Sequence, residues 1–105
     1  MDTRTRTRYQ ARAKIVKAMA HPSRLFIIDQ LAQGERCVCE LTEMIGVDKS
    51  TVSKHLSLLK DAGIVSDEKR GLQVYYRLRV PCITTFFSCI EEVVKANVKA
   101  QMAAI

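Results

Sequence analysis

Apolar residues recur at helical spacing through the first third of the chain, in two separate runs. The first run begins at Tyr9 and predicts a helix that ends near Ala20. Pro22 disfavours a helical backbone at His21 and Ser23 can cap a new helix, so a second helix is expected over about 23–33. The predicted inward positions are Ala11, Ile15, Ala18 and Met19 in the first helix and Leu25, Ile28 and Leu31 in the second.

Two more helices are predicted in the middle of the chain, each ended by a glycine. A short third helix should run from Cys37 or Val38 to Ile45, with Gly46 closing it. The segment "VDKSTVSKHLSLLKDAG" predicts a fourth helix that is capped by Asp48 or Ser50 and ended by Gly63. Its inward stripe is Val52, Leu56 and Leu59, widened by Leu58, and its other face carries short polar and cationic side chains.

The period then changes from helix to strand. Apolar and polar positions alternate over residues 73–78, and "KRG" separates two short runs, so a β-hairpin with Arg70-Gly71 at its tip is expected. Pro81 should open a last helix. The apolar positions of that helix form more than one narrow stripe, which favours packing against a second copy of the chain; they are Ile83, Phe86, Phe87, Ile90, Val93, Val94 and Val98.

A short helix, a glycine turn and a helix with a small-polar outer face form the helix-turn-helix pattern. Such a second helix fits the major groove of DNA, which is ~12 Å wide. The basic hairpin after it would add a wing along the neighbouring backbone. The expected fold class is mainly α with a small β-hairpin, a winged helix-turn-helix that forms a homodimer; a generic helical bundle with a solvated polar face is the alternative.

Charge and composition agree with a nucleic-acid partner. The net charge of the 105-residue chain is +6 and its pI is about 9.4, which favours binding to a polyanion. No apolar run is long enough to span a membrane and no secretory signal is evident, so a cytoplasmic location without membrane contact is expected. No nucleophile–base pair, paired carboxylates or phosphate-binding glycine loop stands out, which disfavours an enzyme.

Cys37 and Cys39 form a Cys-x-Cys pair at the start of the third helix. Residues two apart differ by ~200° around a helix, so only one of the two can face the core. Both can bind one ion only where the first turn is opened. The helix N-terminus and Arg36 would favour thiolate over thiol, which makes the pair a candidate site for soft ions.

Three segments of the chain, "AMAHPSRL", "ERCVCELTEMIGVDKSTVSKHLSLLKDAGIV" and "GLQVYYRL", resemble the ArsR/SmtB family of metal-responsive transcriptional repressors. The "CVCEL" motif is similar to that of the arsenic-sensing members. The resemblance implies a homodimer, paired through its N- and C-terminal helices, that binds double-stranded operator DNA and is released when a metal or metalloid binds. By position, it assigns DNA contacts to Lys49, Ser50, Thr51, Ser53, Lys54 and His55 in the fourth helix and to Lys69, Arg70 and Gln73 in the wing.

Thiolate ligands favour As(III) or Sb(III) as the inducer, or a thiophilic ion of the Cd/Pb type, and no organic cofactor is expected. Arsenic-sensing members with this motif carry a third cysteine at the position of Thr42, so the third ligand must come from elsewhere. Cys82 or Cys89 could supply it, although both could equally be packing residues of the last helix.

Two other functions remain open on the same fold. The thiols could make a redox-responsive or sulfide-responsive repressor, for which a bond between Cys37 and Cys39 should be strained, so that Cys82 or Cys89 would have to take part. Alternatively, the cysteines are inert and the protein binds DNA constitutively.

The expected organisation is a flexible basic arm over residues 1–8 and a DNA-binding and dimerisation domain over residues 9–105. If the arm contacts phosphates, its deletion should weaken binding to all DNA sequences and flatten the salt dependence. Fluorescence anisotropy with duplexes of different sequence, over a range of salt concentrations, measures both effects. An unchanged salt slope would contradict the assignment.

Overall fold

The computed structural model describes residues 1–104, which form five helices around a small antiparallel sheet. A helix-turn-helix unit and a hairpin form the centre of the molecule, and the first and last helices lie outside them. The elements are α1 (Thr3–Met19), α2 (Pro22–Gln33), β1 (Arg36–Cys37), α3 (Val38–Ile45), α4 (Lys49–Asp61), β2 (Val65–Arg70), β3 (Gln73–Leu78) and α5 (Ile83–Ala103). The predicted fold class, mainly helical with a small hairpin, is confirmed.

Helix α1 starts six residues before the predicted position. Asp2 caps it, since its side chain accepts a hydrogen bond from the Thr5 backbone N–H at 2.7 Å. The expectation that residues 3–8 lack regular structure was therefore wrong: the Thr-Arg repeat has no apolar face, but arginine is a good helix former and an aspartate precedes it. That these residues act as a separate basic arm stays a prediction.

The helix-turn-helix is formed as the glycine and aspartate positions indicated. Gly46 ends α3 in the left-handed conformation (φ 81°), which a residue with a Cβ rarely adopts. Asp48, rather than Ser50, caps α4. Only Gly46, Val47 and Asp48 separate the two helices.

The sheet has three strands, one more than the two strands of the predicted hairpin. Its order is β1-β3-β2, and the two-residue strand β1 pairs antiparallel with β3, with Arg36 opposite Tyr76 and Cys37 opposite Tyr75. Arg70 pairs with Gln73, so Gly71 and Leu72 form the tip rather than Arg70 and Gly71. A two-residue strand has too little alternation to be recognised in a sequence.

The core lies between the helix-turn-helix and the base of the hairpin. Four predicted inward positions are instead exposed: Ala11 and Ile15 (44%) on α1, Leu25 (37%) on α2 and Leu58 (49%) on α4. Ile27 is fully buried instead of Leu25, because the face of α2 that packs against the core contains Ile27 and not Leu25. The completely buried side chains are Ile27, Ile28, Leu41, Val52, Leu56 and Leu59, joined by Ile64 and Val65 at the start of β2.

Helix α5 begins at Ile83, after a turn that contains Pro81 and Cys82. Only its first half touches the core, through Ile83 and Phe87. Its apolar side chains Phe86, Ile90, Val93, Val94 and Val98 are 41–58% exposed. Within residues 1–104, no helix is long and apolar enough to cross a membrane.

Leu56 and Leu58 give a matched test of this packing on one helix. Leu56→Ala should lower the free energy of unfolding by about 2–5 kcal/mol, because it leaves a cavity in the core. Leu58→Ala should change it by about 0.5 kcal/mol or less. Urea unfolding followed by circular dichroism measures both, and equal losses would contradict the packing described.

Candidate DNA interface and thiol pair

The exposed N-terminal turns of α4 carry the residues assigned to base readout. Val52, Leu56 and Leu59 are buried on the opposite face, so the helix presents a polar surface outward. Lys49, Ser50 and Lys54 are exposed, whereas Thr51, Ser53 and His55 are partly buried. The structure thus places all six on one helix, with the two lysines among the accessible ones.

Asp48 organises the first turn of this surface. Its carboxylate accepts hydrogen bonds from the Ser50 hydroxyl, the Thr51 hydroxyl (2.7 Å) and the Thr51 backbone N–H (3.1 Å). These bonds lower the pKa of Asp48 from 3.8 to about 2, and the bond from Ser50 has the largest effect. Both hydroxyls therefore have set orientations and offer lone pairs rather than protons to a ligand.

His55 lies at the edge of this surface and joins α4 to the start of α2. Its ring lies 4.4 Å from that of His21 between centroids, and its Nδ1 lies 3.4 Å from Nη1 of Arg24. His21 in turn caps α2, since its Nδ1 accepts from the Ser23 backbone N–H at 3.0 Å. His21 therefore has a structural role as the cap of α2, and its contact with His55 joins that cap to α4.

In the wing, the three assigned residues differ in their surroundings. Lys69 and Gln73 are exposed, and Lys69 forms no ion pair within residues 1–104. Arg70 instead forms ion pairs with Glu35 at 2.6 Å and Glu68 at 2.9 Å. Lys69 and Gln73 are therefore available to a phosphate backbone, whereas the guanidinium of Arg70 is already bound.

Cys37 lies where β1 becomes α3 and is the N-cap of that helix. Its sulfur accepts from the Glu40 backbone N–H at 3.3 Å, and Oε1 of Glu40 accepts from the Cys37 backbone N–H at 3.1 Å. This is a capping box in which cysteine takes the place of serine or threonine. Glu40 also forms an ion pair with Arg36 at 3.4 Å. The sequence predictions did not include this box, although the spacing of Cys37 and Glu40 is a signal for it.

The sulfurs of Cys37 and Cys39 are bonded to each other in the structure. The expectation that Cys82 or Cys89 would have to take part in a disulfide is contradicted, because the structure joins Cys37 directly to Cys39. Cys37 has an extended backbone (φ −79°, ψ 160°), and the two Cα atoms lie 5.3 Å apart, within the usual range for a disulfide. As expected, only one of the two faces the core: Cys37 is 4% exposed and Cys39 is exposed.

The other two cysteines lie on α5, where both are exposed thiols. Cys82 is the N-cap of α5 but makes no side-chain capping bond. In the described part of the chain, no three His, Cys, Asp or Glu side chains are arranged to hold one metal ion. Within one protomer, the structure therefore supplies two sulfurs at one place and no third ligand beside them.

A helix-turn-helix with a wing after it defines the class of winged helix-turn-helix proteins. The family model for the bacterial regulatory proteins of the ArsR family matches residues 21–67. The solved winged helix-turn-helix domain Mb0332 of Mycobacterium bovis, described as homodimeric and as a possible ArsR-family regulator, is 30% identical. It superimposes with a TM-score of 0.78, over 95% of this chain and 93% of that one. The chain belongs to the ArsR family.

Curated relatives match the same region. The repressor SmtB of Mycobacterium tuberculosis is 43% identical over 68 residues, which are 65% of this chain and 50% of that protein. The arsenic resistance regulator ArsR1 of Pseudomonas putida is 40% identical over 65 residues, 62% of this chain and 51% of that protein. The chain spans about half the length of these two relatives. Its family and fold are those of DNA-binding transcriptional regulators.

The surroundings of His55 predict a pH effect. Burial, and then the charges of His21 and Arg24, lower the pKa of His55 below 6.5. The fold thus favours the neutral ring: its contribution to stability is complete above pH 6.5 and is lost as the pH falls through the lowered pKa. The ring-proton shifts of His55 in an NMR titration should give a pKa below 6.5, and His55→Gln should flatten the acid-side loss of stability. A titration at or above 6.5 would contradict this.

Proposed function

We propose that the protein is a transcriptional repressor that binds operator DNA as a homodimer and is released when As(III), Sb(III) or a similar soft ion binds cysteine thiolates. The observation that carries the proposal is the position of the two sulfurs. Cys37 and Cys39 lie at the entry of α3, which leads through Gly46 into the DNA-facing helix α4. The names of the relatives support both halves of the proposal: one is a repressor and one is an arsenic resistance regulator.

DNA binding follows from the outer face of α4 and the wing. The N-terminal end of α4 enters the major groove, where Lys49 and Lys54 reach phosphates or base edges and the oriented hydroxyls of Ser50 and Thr51 accept from exposed amino groups. Lys69 and Gln73 then lie along the adjacent backbone. The charge of +6 provides the salt-dependent part of the affinity.

Dimerisation follows from the apolar surface that a single chain leaves open on its outer helices. Tyr9, Ile15 and Val16 on α1 are 44–50% exposed, in addition to the apolar residues of α5. The residues Val16, Phe86 and Ile90 line one common apolar pocket, so the two surfaces are continuous. Pairing of two chains through α1 and α5 would bury this surface and place two α4 helices for successive major grooves.

The chemistry of the sensor follows from the capping box. In the reduced protein, the helix N-terminus and the N–H of Glu40 favour the thiolate of Cys37, and Cys39 supplies a second sulfur from the first turn. The two thiolates could hold As(III), with a hydroxide or a sulfur from Cys82 or Cys89 in the third position. A sulfur that binds an ion is a weaker acceptor for Glu40, so capture loosens the start of α3. A coupling of about 1–3 kcal/mol between the sites would weaken DNA binding from about fivefold to about a hundredfold.

A second candidate function is redox sensing, and the bonded sulfurs favour it. Two thiols and one hydrogen peroxide would give the Cys37–Cys39 disulfide and two waters, with two electrons passing from the sulfurs to the peroxide. The ion-binding thiolates would then be lost, and the disulfide state would set the affinity for DNA. Constitutive binding with inert cysteines is the outcome in which neither reagent has an effect.

Cysteine variants should separate these functions. A duplex selected by the reduced protein from a randomised pool serves as the DNA, and anisotropy gives its Kd with arsenite or with peroxide. Arsenite should raise the Kd of the wild type by about fivefold or more, and Cys37→Ser and Cys39→Ser should abolish the effect. Cys82→Ser and Cys89→Ser are the matched controls on α5, and loss of the arsenite effect in one of them would identify the third ligand.

The remaining outcomes decide between the alternatives. A response to peroxide alone, lost in Cys37→Ser, would replace ion sensing by redox sensing. An arsenite-loaded wild-type dimer that holds DNA as tightly as the empty one would refute the proposed inducer.

A further inference from the structure

The guanidinium of Arg70 is held from three sides at the end of β2. Its Nη1 and Nη2 donate to the two carboxylate oxygens of Glu35 at 2.6 and 3.1 Å, which is a two-pronged pairing. Nη2 also donates to Glu68 at 2.9 Å. The guanidinium carbon lies 4.7 Å from the centre of the Tyr75 ring, in cation–π contact. Arg70 is therefore fixed in position rather than extended into solvent.

These contacts converge on the backbone beside the thiol pair. Glu35 immediately precedes β1 and lies two residues before Cys37. Tyr75, on whose ring Arg70 lies, is the strand partner of Cys37. The pair of Glu35 and Arg70 spans 35 positions in the chain and joins the loop after α2 to the wing. The thiol pair and the wing are thus connected both through the β1–β3 pairing and through this ion pair, which we call the wing clamp.

The local charge argues against a phosphate contact by Arg70. Arg70 pairs with two carboxylates and Arg77 is a second cation whose charge reaches Glu35, so the site as a whole is close to neutral rather than positive. The hydrogen bond from Arg70 lowers the pKa of Glu35, so the carboxylate stays ionised near neutral pH. Lys69, the adjacent residue, forms no such pair in the described part of the chain and remains available.

The wing clamp is exposed, with 42% and 38% of the two side chains accessible. Exposed ion pairs contribute little to stability because water screens them. The two-pronged pairing nevertheless fixes the orientation of the loop after α2 relative to the wing. The sheet joins these two segments only through the two residues of β1. The clamp can therefore set a position without being needed for folding.

We infer that the wing clamp transmits the state of the thiol pair to the wing, and that Arg70 is a positioning residue rather than a DNA contact. This inference rests on the proposed function. Ion capture by the reduced Cys37 shifts β1, Glu35 moves with it, and Arg70 displaces the hairpin that carries Lys69 and Gln73. The DNA then loses the wing contacts together with the fit of α4.

Two variants at the two ends of the clamp test the inference. Glu35→Gln and Arg70→Gln should each lower the ratio of Kd with arsenite to Kd without it by about threefold or more, and both should shift the Kd without arsenite in the same direction. Arg70→Lys keeps the charge but loses the fork, so it should also lower the ratio. Lys69→Gln is the matched comparison: it removes a phosphate contact, so it should weaken binding without arsenite and reduce the salt slope by about 1, whereas the clamp variants should keep the wild-type salt slope. Circular dichroism checks that each variant is folded.

A direct DNA contact by Arg70 predicts a different pattern. Arg70→Gln would then behave like Lys69→Gln, whereas Glu35→Gln would tighten binding by removing a competing negative charge. If Arg70→Gln weakens binding and Glu35→Gln tightens it, the inference is overturned. It is also overturned if both variants keep the wild-type ratio of Kd with arsenite to Kd without it. Either result leaves the proposed function intact. A wild type that responds to neither arsenite nor peroxide would refute the proposed function, and the inference with it.

Discussion

Cys37 stands where the chain stops being a strand and becomes a helix, and its two hydrogen bonds with Glu40 fix that change of direction. Upstream of this junction β1 pairs with β3; downstream, the bonds begin α3, which leads through Gly46 to α4. The same residue carries a sulfur that can bond elsewhere. Because a helix N-cap needs an acceptor, a soft ion that occupies the lone pairs of this sulfur competes directly with the cap.

Two routes lead from this junction to the DNA surface, and they differ in stiffness. The route through α3 is packed: Leu41 of α3 and Leu56 of α4 are both completely buried in one core, so the two helices move together. The route through the wing consists of two strand residues and an exposed ion pair. A closely packed route transmits small displacements, whereas a weak one can be altered by single substitutions without loss of the fold. In this chain, a substitution at the wing can therefore alter the second route while the packing of α3 against α4 stays intact.

The parts of this arrangement that depend on periodicity could be predicted from the sequence. The caps at Asp48 and Gly46 and the buried stripe of α4 follow from local chemistry that few tertiary contacts override. Helix α1 was placed too late, because a Thr-Arg repeat carries no apolar signal although its helix propensity is adequate. Strand β1 and the partners of Arg70 could not be predicted, because they depend on residues 35 positions apart that only the folded chain brings together.

The thiol pair shows where the helical rule stops applying. The angle of ~200° between residues two apart holds inside a helix, and Cys39 is inside α3, but Cys37 is the extended residue before it. One buried and one exposed sulfur can therefore meet across the first turn without opening it. The same proximity serves a soft ion or a disulfide, so the backbone alone does not select between them. The selection is chemical, because oxidation removes the thiolates that an ion requires, and a repressor built on this pair would respond to arsenite only while it is reduced.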